Sequence, residues 1–281
     1  MKIANGIYML EISANIMGTQ SVINPTLIWD NEAVILIDTG YPGQLPQIRE
    51  AIEKAGVSFD KLNMVILTHQ DIDHVGSLTS ILRELPDNVE VLAHKEEKSY
   101  IQGDKIPVKV AQLEAHLNSL PKEMKAIYVK MKVFYENNKS NVDRTINDGE
   151  ELPYCGGITV IYTPGHTPGH ICLYLKQCKT LIAGDALQVD GGILIKAPQS
   201  TNLDIDLSMK SLKKLMKYDV ETVICYHGGL YKDNANKRIE ELANENIKQR
   251  GNVIAVIPKR VEIKEWYLSA DVLKRELEEF Q

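Results

Sequence analysis

No run of basic residues appears in this chain, which sets 32 lysines and arginines against 38 aspartates and glutamates for a formal net charge of −6. A surface of that balance lacks the positive field that phosphate backbones require, so no nucleic-acid partner is expected. No apolar stretch approaches the ~20 residues that span a bilayer, and no membrane partner is expected. The N-terminal segment MKIANGIYMLEISANIMG has its apolar run interrupted by Glu11 and reads as folded protein rather than a leader. The four cysteines, Cys155, Cys172, Cys178 and Cys225, are dispersed and form no CxxC pair. They read as small buried hydrophobes in a reduced, cytoplasmic protein. Internal repeats and low-complexity segments are also missing.

What is present is the patterning of a layered α/β protein. At 281 residues and 44% hydrophobic composition, the chain can bury a large core. The segment TLIWDNEAVILIDTG reads as two strands meeting at Asp30–Asn31, and MVILT (64–68) as a strand covered on both faces. Leu45, Ile48 and Ile52 sit at helical spacing before Gly56, and Leu78, Ile81, Leu82 and Leu85 form a second stripe that ends at Pro86. VEVLAH (89–94) reads as a strand. From about 95 to 145 the apolar residues fall at helical spacing, first Val110, Leu113, Leu117 and Leu120, then Met124 to Tyr135, which predicts a helical insertion. Strands resume at 157–163, 171–175, 180–184 and 221–226. A C-terminal extension over about 231–281 holds a helix near 233–250, a strand at 252–257 and a charged helix from about Ala270. The whole reads as a single domain over 1–281.

Five of the seven histidines lie just beyond these strands: His69, His74, His166, His170 and His227. Asp185 follows the strand at 180–184 in the same way. Functional groups on loops at strand ends, held by a rigid sheet, are how stable folds build sites. Within THQDIDHVGS (68–77), His69, Asp71 and Asp73 alternate, so an extended loop projects them to one side. Three carboxylates (Asp71, Asp73 and Asp185) converging with imidazoles repel one another unless cations lie between them. Two divalent ions supply that charge, and imidazole with carboxylate suits zinc, iron or manganese.

The ordered motifs THQDIDH, TPGHTPGH, AGDAL and CYHGG resemble those of the metallo-β-lactamase-fold hydrolases over roughly residues 5 to 230. The resemblance implies a four-layer αβ/βα sandwich with a dinuclear site along one edge. By position, His69, Asp71 and His166 would hold the first metal, Asp73, His74 and His227 the second, and Asp185 would bridge them. Asp38, in the DTG segment, would support the site without ligating. Asp71 departs from the commoner HxHxDH pattern, which has histidine there. With Asp71, the four charges of two divalent ions are cancelled by three aspartates and a bridging hydroxide. Zinc is the first choice of metal, and the less positive site opens the way to iron or manganese. Asp73 is the expected catalytic group, orienting the attacking water and moving its proton.

Other residues read more plainly. His170 is expected to brace or pack beside the ligands, and His94 and His116 to be exposed or helix-face residues without a role. Tyr128, Phe134 and Tyr135 fit either core packing or a lid over the site, and Tyr226 reads as core. Gln188 stands where some lactonases of the family carry tyrosine. The fold alone does not settle the substrate. The expectation is a small molecule, a carbonyl ester, lactone or thioester. A phosphodiester or β-lactam, iron redox chemistry and a binding protein with a degraded site remain as alternatives. Oligomeric state is open between monomer and homodimer, with Trp266 and Tyr267 available to pack on either copy.

Overall fold

The computed structural model describes residues 1–16, 19–86 and 89–245. In chain order, β1 (Lys2–Ala4) and β2 (Ile7–Met9) precede a hairpin, β3 (Ile12–Ile16) and β4 (Thr19–Ile23). Next come β5 (Thr26–Trp29), β6 (Val34–Ile37), α1 (Leu45–Lys54), β7 (Met64–Leu67), α2 (Ile72–Val75), α3 (Leu78–Glu84) and β8 (Glu90–His94). The insertion contributes α4 (Lys95–Ile101), α5 (Val108–Ala115) and α6 (Lys122–Asn137), and the chain returns through β9 (Arg144–Ile146). The second half holds β10 (Glu151–Leu152), β11 (Ile158–Tyr162), β12 (Ile171–Leu175), β13 (Thr180–Ile182) and the hairpin β14 (Leu187–Asp190) with β15 (Ile193–Lys196). It closes with α7 (Ile205–Leu215), β16 (Thr222–Cys225), β17 (Gly229–Tyr231) and α8 (Ala235–Asn244).

Two mixed sheets result, one ordered β1-β2-β5-β6-β7-β8-β9 and the other β10-β11-β12-β13-β16-β17. Strict alternation of apolar side chains lets each central strand serve two layers. In β6, Ile35 and Ile37 face the other sheet while Val34 and Leu36 face helices. In β16, Ile224 faces the opposite sheet while Val223 and Cys225 pack toward α7 and α8. Helices therefore cover the outer face of each sheet, giving a four-layer αβ/βα sandwich. Each layer boundary buries a continuous apolar cluster, the kind of area removal that drives folding.

Within the segment read as a helical insertion, about 95–145, the helices end at Asn137, just past the last periodic apolar position, Tyr135. Its helices run from Lys95 to Asn137, and Arg144–Ile146 then adds a parallel edge strand to β8. Val110, Met124, Tyr128, Met131 and Phe134 from the insertion are buried in the same cluster as the outer face of the first sheet. The strand expected at 252–257, the helix from Ala270, and Trp266 and Tyr267 lie outside the described residues.

Candidate metal centre

Every one of the seven candidate residues leaves the C-terminal end of a strand. The pairs β6–β7 and β13–β16 run parallel, so their ends point the same way and present successive loops side by side. After β7, His69 is followed by a short turn in which the His74 N–H bonds Asp71 O at 2.8 Å, placing Asp73 and His74 on α2. His166 sits in the loop from β11 to β12, closed by Thr163 N–H on His170 O at 2.9 Å. Asp185 follows β13 and His227 follows β16. The His227 backbone is gripped from both sides, by a bridge to Ile23 and by Val189 N–H on its carbonyl at 3.1 Å.

The side chains converge in two groups that share Asp185. In the first, His69 Nε2 and His166 Nε2 lie 3.3 and 3.0 Å from Asp71 Oδ2, and 3.9 and 3.4 Å from Asp185 Oδ2. In the second, His74 Nε2 and His227 Nε2 lie 3.6 and 3.3 Å from Asp73 Oδ2, and 3.3 and 3.5 Å from Asp185 Oδ1. Each oxygen of Asp185 thus serves a different group. Donors about 2.0–2.2 Å from a tetrahedral ion stand about 3.3–3.6 Å apart, and the separations here, 3.0–3.9 Å, bracket that spacing.

Hydrogen bonding independently shows that the donors fit a cation. His69 Nε2, His74 Nε2 and Asp185 Oδ1 are buried and make no hydrogen bond, a costly state for polar atoms unless something binds them. The far side of each ring explains why Nε2 is left open. Thr68 gives its hydroxyl proton to Asp38 Oδ2 at 2.8 Å, so its oxygen accepts the Nδ1 proton of His69 at 3.0 Å. His74 gives its Nδ1 proton to Asp38 Oδ2 at 2.9 Å. Both Nε2 lone pairs then face the centre, the tautomer that metal binding needs.

Further contacts hold the loops. His170 Nε2 accepts the Asp185 N–H at 2.9 Å, and its Nδ1 pairs with Thr163 Oγ1 at 2.9 Å. Gly184 allows this approach: its φ is +50°, and a Cβ there would lie 2.7 Å from His170 Nε2. The Tyr226 ring lies 3.9 Å from that of His74, and its hydroxyl donates to the carbonyl of Asp73. Glu97, fully buried, joins the two ligand loops: one oxygen accepts Gln70 N–H and Nε2–H, each at 2.9 Å, and the other accepts Thr167 Oγ1 at 2.7 Å and Gly169 N–H at 2.6 Å.

Electrostatics follow from this crowding. Burial opposes ionisation of Asp71, but the Lys109 ammonium and His69 hold its carboxyl well below the usual range. Asp73 and Asp185 are lowered against the same burial penalty, Asp73 by His74 and His227 and Asp185 by His227 and His74. The same carboxylates raise His74 well above the ordinary imidazole range and raise His227 to about 10, overcoming burial in both cases. Burial and the Lys109 charge push His166 down to about 4, leaving it neutral. The three inward carboxylates thus call for positive charge, which Lys109 supplies at Asp71 and which a cation in the centre would supply at Asp73 and Asp185.

Two further charged residues, Lys109 and Glu97, belong to the site without any mark in the sequence pattern. Lys109 Nζ stands 2.6 Å from Asp71 Oδ2 and 3.4 Å from His166 Nε2. A count of candidate ligands alone leaves out the positive charge that the Lys109 ammonium places against Asp71. Nothing in a lysine-rich helical segment marks one lysine as inward. The expected brace at His170 and the core position of Tyr226 agree with the contacts found. His116 is exposed, whereas His94 is buried, caps α4 by accepting Glu96 N–H at 3.3 Å and stacks on Tyr162 at 4.2 Å. Tyr128 and Phe134 are core residues, and Tyr135 donates its hydroxyl to Gln70 O at 2.9 Å, fixing α6 beside the site.

The centre opens into a cleft of about 360 Å³, walled by Tyr41, Ile72, Met131, Leu187, Val189 and Pro198 among others. That volume suits a small molecule. Among the described residues, no helix is long and apolar enough to cross a membrane.

Comparison with known proteins agrees with this architecture. The family model described as the metallo-beta-lactamase superfamily matches residues 18–227. A protein of Bacillus subtilis named probable metallo-hydrolase YflN is 28% identical over 86% of this chain and 91% of its own length. A hydroxyacylglutathione hydrolase of Buchnera aphidicola is 28% identical over 75% of this chain and 64% of its own. Among solved structures, a metallo-beta-lactamase family protein from Thermus thermophilus superposes with a TM-score of 0.66 at 23% identity, covering 86% of this chain and 79% of that one.

Proposed function

The chain belongs to the metallo-β-lactamase superfamily, and on that footing we propose that this metallo-hydrolase cleaves a small carbonyl ester, lactone or thioester at a dinuclear centre. The observation that carries the reading is the division of Asp185, whose Oδ2 faces His69 and His166 and whose Oδ1 faces His74 and His227. His69, Asp71, His166 and Asp185 would hold one divalent ion, and Asp73, His74, His227 and Asp185 the other. Zinc suits this imidazole–carboxylate set best, with iron or manganese as alternatives. When bound, such a pair supplies Lewis acidity that activates water and polarises a carbonyl.

The chain's own groups do the rest. Asp73 is 14% exposed, lines the cleft and stands between His74 and His227. Its backbone is held by the Tyr226 hydroxyl, so its carboxylate is positioned to orient the attacking water and carry a proton to the leaving group. Met131, Leu187 and Val189 give the substrate an apolar wall. The name carried by the Buchnera relative favours a thioester within this class.

Two measurements test the reading. Elemental analysis of protein purified without added metal should find divalent metal, and Asp185→Ala should lose metal and turnover together. A panel of chromogenic thioester, lactone, ester and bis-p-nitrophenyl phosphate substrates should give turnover on a carbonyl compound. Turnover confined to the phosphodiester, or full turnover by Asp185→Ala, would overturn it.

A further inference from the structure

We propose that Lys109 is a built-in cation for the His69–Asp71–His166 group, so that the two halves of the centre fill unequally. The half formed by Asp73, His74 and His227 takes its metal first, and the other fills only when the lysine is displaced. The inference rests on the dinuclear reading above.

The geometry is specific to one half. Asp71 Oδ2 is the oxygen that His69 Nε2 and His166 Nε2 approach at 3.3 and 3.0 Å, and it is also the atom Lys109 Nζ meets at 2.6 Å. The ammonium additionally stands 3.4 Å from His166 Nε2. A metal bonded to these donors would occupy the space and the lone pairs that the ammonium uses, so the two cations exclude one another. Among the described residues, the ion pairs of Asp73 and Asp185 run to imidazoles. Among the described residues a metal entering the second half meets imidazoles and carboxylates, whereas one entering the first must move a lysine.

The placement of Lys109 is built into the fold. It is the second residue of α5, and the first, Val108, donates its N–H to Gln70 Oε1 at 2.8 Å. Gln70 lies between His69 and Asp71 and is itself pinned to the buried Glu97. The helix that carries the lysine is thus fastened to the loop that carries the ligands. Lys109 is 13% exposed and borders the cleft, which gives its side chain room to swing aside.

The test titrates metal-free protein with Zn²⁺ against a chromophoric chelator, with native mass spectrometry to count ions. In the wild type the second ion should bind at least about tenfold more weakly than the first, and Lys109→Met should tighten that second step by about 10–100-fold. Lys109→Gln repeats the measurement should the methionine variant not fold. His227→Ala should remove the tight step and Asp71→Ala the weak one. Two ions of equal affinity in the wild type, unchanged steps in both lysine variants, or the reverse assignment of tight and weak steps would overturn the proposal while leaving the dinuclear reading intact. Binding of no metal by any of these proteins would overturn both.

Discussion

Asp38 and His74 meet across 36 positions of sequence in a 2.9 Å hydrogen bond from the imidazole Nδ1 to the carboxylate Oδ2. The same carboxylate also accepts Thr68 N–H and Thr68 Oγ1–H, each at 2.8 Å. One buried aspartate thereby sets the tautomer of His74 directly and that of His69 through Thr68. In Asp38→Asn, an amide NH₂ would face at least one of these donors. Metal affinity is expected to fall about 10–100-fold, read by chelator competition. Unaltered affinity would show that the rings hold their orientation without Asp38.

Glu97 accepts two donors on each oxygen, and an amide can accept at one end only. Glu97→Gln is therefore expected to leave buried donors of Gln70, or of Thr167 and Gly169, facing an NH₂ group. A loss of about 2–4 kcal/mol is expected, a fall in Tm of roughly 3–7 °C. Calorimetry of the metal-free variant against metal-free wild type checks it. An unchanged Tm would mean that the two ligand loops do not depend on this residue.

Gly184→Ala tests the close approach of His170. A Cβ would sit 2.7 Å from His170 Nε2, on a backbone at φ +50° that costs an alanine about 1–2 kcal/mol. The ring would have to leave the Asp185 N–H. Since Asp185 serves both halves, the variant should bind less than half the metal of the wild type while keeping its far-ultraviolet circular dichroism. Full metal loading would show that the loop can shift without moving Asp185.

Away from the centre, Asp30 joins the two sheets. Its Oδ1 accepts Glu32 N–H and Ala33 N–H at 2.8 and 2.9 Å, and its Oδ2 accepts Cys155 N–H at 2.6 Å. Burial opposes ionisation, but these bonds hold the Asp30 carboxyl below its ordinary value. The folded pKa lies below the unfolded one. The stability it contributes is therefore complete above about pH 4 and is lost as pH falls through the lowered folded value. Asp30→Asn should cost about 1 kcal/mol or less at pH 7, and the difference from wild type should shrink toward pH 3 in urea unfolding. A difference that stays constant over that range would exclude the charge as its cause.

Sequence patterning revealed the layers because strands buried on both faces leave short continuous apolar runs, as at 64–67 and 223–225. It revealed the candidate ligands because they crowd into strand ends and, in HQDIDH, into six adjacent positions. The hairpin of β14 and β15 carries its own turn signal, Gly191–Gly192 directly after the alternating segment Leu187–Asp190. Lys109, Gln70 and Glu97 were not legible. Each is a common polar residue whose role arises only when the insertion folds back on the ligand loop, and a helical period cannot say which polar side chain turns inward. The charge argument from Asp71 was incomplete for that reason.

The centre draws His69, Asp71, Asp73 and His74 from one sheet and His166, Asp185 and His227 from the other. Severing the chain in the Asn147–Glu150 turn between β9 and β10 would give two fragments, each with an incomplete set of donors. Metal capture by a mixture of the pieces would then report their reassociation, making the centre a sensor for the joining of the two halves of its own chain.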